Sequence, residues 1–160
     1  MVMTIRCARS HAALGGREMT RGPAVGYRLL PHTADVVVQA WAPTRAACLA
    51  EAVRGLVAVF ADTAGVVGSR SVAFAIGPAT DEELLVRLLE EVIYRVEVDE
   101  VIPVDVQVEL TPDGGVRGRL DVAPLRPAMI IGAAPKAVAW HELSFAPERT
   151  GWRCRVTVDV

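Results

Sequence analysis

From residue 26 onward the apolar positions recur with two periods, and these divide the chain into strands and helices. Tyr27 to Leu30 reads as a short strand closed by Pro31, which has no N–H to give to a ladder. His32-Thr33-Ala34-Asp35 is a turn, and Val36 to Trp41 is a second strand rich in β-formers. Thr44 then caps a helix running to about Ala61, with Leu49, Val53, Leu56, Val57 and Phe60 at helical spacing and Gly65 just past its end. A strand over about Ser71 to Ile76 leads to Thr80-Asp81-Glu82-Glu83. Its Thr and Glu are spaced to satisfy the free backbone donors at the start of a helix.

That second helix turns Leu84, Leu85, Leu88, Leu89, Val92 and Val96 inward and sets Glu83/Arg87 and Glu91/Arg95 as exposed ion pairs. Val104, Val106, Val108 and Leu110 alternate with polar residues up to Pro112-Asp113-Gly114-Gly115, a turn that leads into Val116 to Val122. Ala137 to Phe145 and Trp152 to Val158 complete the set, the latter with Trp152, Cys154, Val156 and Val158 on one face. The order predicts an α+β protein of two layers: a mainly antiparallel sheet of about seven strands, with two helices on one face. No repeat or linker interrupts residues 26–160, which are expected to form one domain.

Charge changes the picture for the first 25 residues. Arg6, Arg9, Arg17 and Arg21 against Glu18 give them +3, which leaves −5 on the rest of a chain whose net charge is −2. An acidic body argues against direct, non-specific nucleic-acid binding, which needs a basic face to neutralise phosphates, so any link to RNA is expected to run through a protein. Residues 1–25 lack the apolar core of a secretory signal, and they are expected to be a disordered extension or an artefact of a start upstream of Met19. No apolar run approaches the roughly 20 residues that span a bilayer. Cys7, Cys48 and Cys154 are widely spaced and odd in number, which predicts reduced thiols in a cytoplasmic protein.

The nucleotide, dinucleotide, hydrolase and zinc-protease signatures are all missing from the sequence. What remains is a set of oxygen donors at element ends: Asp35 opening a strand, Asp159 near the end of the last one, and the main-chain carboxylate of Val160. If the two strand ends adjoin, these three carboxylates repel one another and form a site for a hard cation such as Ca²⁺, Mg²⁺ or Mn²⁺. Taken singly, a turn aspartate is usually a cap. His32 is either a backbone-bonding turn residue or a supporting ligand. His141 and Glu142 are adjacent on a strand, so only one of them can face a given site. Lys136, the single lysine among 17 basic residues, either meets a need for a compact ammonium or reflects chance.

The ordered blocks Pro31-His32-Thr33-Ala34-Asp35, Leu84-Leu85, Lys136-Ala137-Val138-Ala139-Trp140-His141-Glu142 and Val156-Thr157-Val158-Asp159-Val160 resemble the archease family over about residues 26–160. The resemblance implies a non-catalytic activator of an RtcB-type, GTP-dependent RNA ligase, serving its guanylylation and multiple turnover in tRNA splicing and RNA repair. It also implies a bound Ca²⁺ or related ion held by Asp35, Asp159 and the carboxylate of Val160. A small metal-dependent phosphoesterase or nuclease, with His32 or His141 as acid/base, is the competing class. A chaperone-like interaction module is the third, drawn from the apolar stretch at residues 127–135. Val37 and Trp140 stand where the family commonly has Gly and Tyr, and Met129 to Ala134 is apolar where the family tends to be polar.

Overall fold

The computed structural model describes residues 25–160, so the expectations for the N-terminal segment lie, apart from Val25, outside the described residues. Strands β1 (Gly26–Pro31) and β2 (Asp35–Ala42) form a hairpin, closed by the His32 N–H donating to the Asp35 carbonyl at 2.9 Å. Helix α1 (Arg45–Phe60) begins where the Thr44 hydroxyl accepts from the Ala47 N–H. Helix α2 (Asp81–Val98) follows β3 (Arg70–Ile76). It carries the complete capping box: Thr80 N–H donates to the Glu83 carboxylate at 3.0 Å and Glu83 N–H to the Thr80 hydroxyl at 3.3 Å. Strands β4 (Val101–Leu110), β5 (Val116–Pro124), β6 (Ala137–Glu148) and β7 (Gly151–Asp159) complete the order.

The α+β class, the two helices and the seven strands are as the sequence pattern predicts. The strands divide between two antiparallel sheets, β1-β2-β7-β6 and β3-β5-β4. The chain leaves the first sheet through α1 and returns to it only at β6, so the strands between pair among themselves. Each helix packs against strands of both sheets, so the helices are not confined to one face of a single sheet. Leu49, Leu56 and Phe60 of α1, Leu85 and Leu89 of α2, Val38 and Val156 of the larger sheet and Leu120 of the smaller one are buried in a single core. Fully burying each such side chain contributes roughly 1.5–3 kcal/mol.

Two expected details differ. Gly65 does not end α1: Ala61 does so in extended conformation, and Gly65, at φ 74°, turns the loop beyond it. Glu83 makes no ion pair with Arg87, because its carboxylate is folded back onto Thr80; Glu91 and Arg95 do pair, at 2.7 Å. The apolar stretch is fixed to the end of α1. The Ile131 and Gly132 N–H groups both donate to the Phe60 carbonyl, one that the helix leaves free, and Asp62 N–H donates back to the Met129 carbonyl of the loop. Ile130 and Ile131 remain exposed on it.

A candidate cation site at paired strand ends

The β1–β2 turn and the last residues of β7 meet because β2 and β7 are neighbours. Their register sets Asp35 directly opposite Asp159, and on the other side of β7 Ala137 stands opposite Asp159. Side chains directly opposite in an antiparallel pair lie about 4.5–5.5 Å apart at Cβ, and like charges there destabilise. The carboxyl of Asp159 responds as such a pair should. A hydrogen bond shared with Asp35, and then the negative charge of Asp35, raise its pKa above the usual aspartate value, while Lys136 and His141 act in the opposite sense.

Lys136 immediately precedes β6, and its backbone N–H donates to the Asp159 carbonyl at 2.8 Å, which extends the β6–β7 ladder and brings its ammonium near the carboxylates. His141 reaches the same neighbourhood by a different route. The β6–β7 register breaks between Ala139 and Ser144, so that Trp140, His141, Glu142 and Leu143 form an expanded bulge, with Glu142 at φ 54°. His141 lies near enough to act on the Asp159 carboxyl, whereas Glu142 is drawn aside to Arg155 at 3.6 Å. The bulge, and not plain strand alternation, separates the two. His32 is exposed and contributes its backbone N–H to the turn. Val160 packs its side chain against the core next to Asp159, which holds the last main-chain atoms at this corner.

The sequence reading missed the bulge and one further residue. Thr157 shares the sheet face of Asp159, is only 4% exposed, and carries a buried side-chain oxygen without a hydrogen-bond partner among the described residues. Across the bulge the inward face changes parity, from Val138 to Phe145, the two buried residues of β6. Among the described residues no three His, Cys, Asp or Glu side chains converge. The side chains supply two carboxylates, and the donor set reaches three only with the Val160 main-chain carboxylate. All of these donors are anionic oxygens under mutual repulsion, and that chemistry fits a hard cation of the Ca²⁺, Mg²⁺ or Mn²⁺ type.

Fold and site together define a class: a small α+β protein whose distinctive surface feature is a pair of strand-end carboxylates. The chain belongs to the archease family, since residues 27–160 match the model of the Archease protein family (MTH1598/TM1083). It is 38% identical to a Mycobacterium tuberculosis (strain H37Rv) protein named archease, over 99% of this chain and 92% of that protein. It is 27% identical to the protein archease of Methanosarcina barkeri (strain Fusaro), over 84% of this chain and 95% of that one. The solution structure of Methanobacterium thermoautotrophicum protein 1598 superposes with a TM-score of 0.68 at 18% identity, covering 84% of this chain and 99% of that one. The crystal structure of an archease from Thermotoga maritima does so with 0.61 at 16% identity, covering 90% and 100%.

Proposed function

We propose that this archease-family protein is a non-catalytic accessory factor that activates an RtcB-type RNA ligase, and that Asp35, Asp159 and the main-chain carboxylate of Val160 hold a divalent cation, Ca²⁺ by preference, for that task. The observation that carries the cation site is the register pairing of Asp35 with Asp159. Two carboxylates placed face to face at a sheet end cost stability unless a counter-charge is present, and Lys136 and His141 supply only part of it. Asp35, Asp159 and the Val160 carboxylate would hold such a cation, which would supply the remaining positive charge and could attract phosphate oxygens of a partner's nucleotide.

The residues of this chain have distinct parts in the proposal. The backbone of the His32–Asp35 turn fixes the first carboxylate, and the β6–β7 ladder, extended by Lys136 N–H, fixes the second. Core packing of Val160 keeps the chain end beside them. His141 and Lys136 moderate the local field, and neither is assigned a proton-transfer step.

The test is RNA ligation by a purified RtcB-type ligase, in the presence of GTP and divalent metal, at substrate tenfold over enzyme. The chain is expected to convert single-turnover ligation into multiple turnover, and Asp35→Ala is expected to abolish that stimulation. Cleavage of RNA or a phosphoester by the chain alone, with no effect on the ligase, would establish the competing hydrolase reading instead.

A further inference from the structure

Leaving a buried hydroxyl without a hydrogen bond destabilises a fold, so each such group calls for a partner. Among the described residues one buried side-chain oxygen is in this position, that of Thr157, which is closed to solvent. It does not belong to the hydrophobic core. Cys154, Val156 and Val158 form the core face of β7, and Thr157 lies on the opposite face, between Arg155 and Asp159.

Its direct neighbours across the sheet are apolar, Val37 on β2 and Ala139 on β6, and Ser144, level with Arg155 on β6, is reached only across the bulge. On β2 and β7 the polar side chains within one ladder step on this face are Gln39 and Arg155 toward the middle of the sheet, and Asp35 and Asp159 toward its end. The first two are committed elsewhere. The Gln39 side-chain carbonyl accepts from Arg28 at 2.8 Å, and Arg155, whose guanidinium has no acceptor, faces Glu142 at 3.6 Å. The carboxylates are the acceptors with lone pairs to spare. Carboxylates that ligate a metal are normally held in turn by an outer hydrogen-bond donor. A hydroxyl can do this without the positive charge by which Lys136 opposes a cation.

We infer that the Thr157 hydroxyl is a positioning group for the cation site: when Asp35 and Asp159 turn onto a bound cation, it donates to the inner side of the pair and fixes the ligating orientation. The inference rests on the cation reading of the site and adds to it a residue that ligand spacing does not signal. The test is calorimetric titration of Ca²⁺ into the unsubstituted chain, Thr157→Val and Thr157→Ser, with the Tm of each measured in chelator. Valine keeps the β-branched shape without the hydroxyl, and serine keeps the hydroxyl. Thr157→Val should weaken Ca²⁺ binding about tenfold, the scale of losing an outer-shell donor, and Thr157→Ser should stay within about twofold of the unsubstituted chain. In chelator Thr157→Val should be at least as stable as the unsubstituted chain, since it removes an unbonded buried hydroxyl. Looser binding in a fold no less stable is a combination that a merely structural threonine does not give. Undiminished affinity in Thr157→Val, an equal loss in Thr157→Ser, or a lower Tm of Thr157→Val in chelator would each overturn the inference. The first of these, alongside lost binding in Asp35→Ala, would leave the cation site standing without Thr157, whereas an unsubstituted chain that binds no Ca²⁺ would remove both.

Discussion

At the residue scale, the pairing of Asp35 with Asp159 bears on stability and on the proposed cation binding. The folded-state pKa of Asp159 lies above its ordinary value because of the opposing Asp35. A raised carboxyl pKa means the native state holds the proton more tightly than the unfolded chain. Its contribution to stability is therefore present at low pH and lost as pH rises through the folded pKa. Asp159→Asn should accordingly raise Tm at pH 7 in the presence of a chelator and give no gain at pH 3, as measured by thermal denaturation. The same proton competes with a cation, so Ca²⁺ affinity should begin to fall at a pH above the ordinary aspartate range. Lys136 sets a further expectation. Its charge keeps Asp159 ionised but also opposes an incoming cation. Near neutral pH, where the carboxylate is ionised anyway, Lys136→Met should tighten Ca²⁺ binding by about two- to tenfold, the scale of one nearby exposed charge.

At the element scale, the capping box of α2 and the tight β4–β5 packing carry sharper consequences than surface ion pairs. Thr80→Ala removes the hydroxyl that accepts from Glu83 N–H and should cost about 1 kcal/mol in denaturant unfolding. A Cβ at Gly118 would lie 1.9 Å from the Gln107 carbonyl oxygen and 2.7 Å from the Phe74 ring, so Gly118→Ala must displace a neighbouring strand backbone. It should cost roughly 2–4 kcal/mol and lower Tm by at least about 5 °C. The elements themselves were legible because periodicity and capping chemistry act locally: Thr44, Thr80 and Glu83 do in the structure what their spacing indicates. The β6 bulge was not legible, because Glu142 adopts positive φ without the Gly or Asn that usually marks such a position. The division into two sheets was equally hidden, since strand pairing depends on long-range order that no local window contains.

At the scale of the whole molecule, the site exists only because residues 35 and 159, distant in sequence, become neighbours across β2 and β7. Composition reduced Asp35 to a turn aspartate, and the ordered family blocks linked it to the chain end; the register supplies the physical contact between them. No helix among the described residues is long and apolar enough to cross a membrane. If a cation binds the folded carboxylate pair and not the unfolded chain, it must stabilise the fold by mass action. Ca²⁺ at about 100 times its Kd should then add about 2.7 kcal/mol. The most direct measurement of the central claim is calorimetric titration of Ca²⁺ into the full chain and into Asp35→Ala, Asp159→Ala and a variant with one residue added after Val160. The account predicts one ion per chain, with binding lost in all three variants. Undiminished affinity in Asp35→Ala and Asp159→Ala would contradict it.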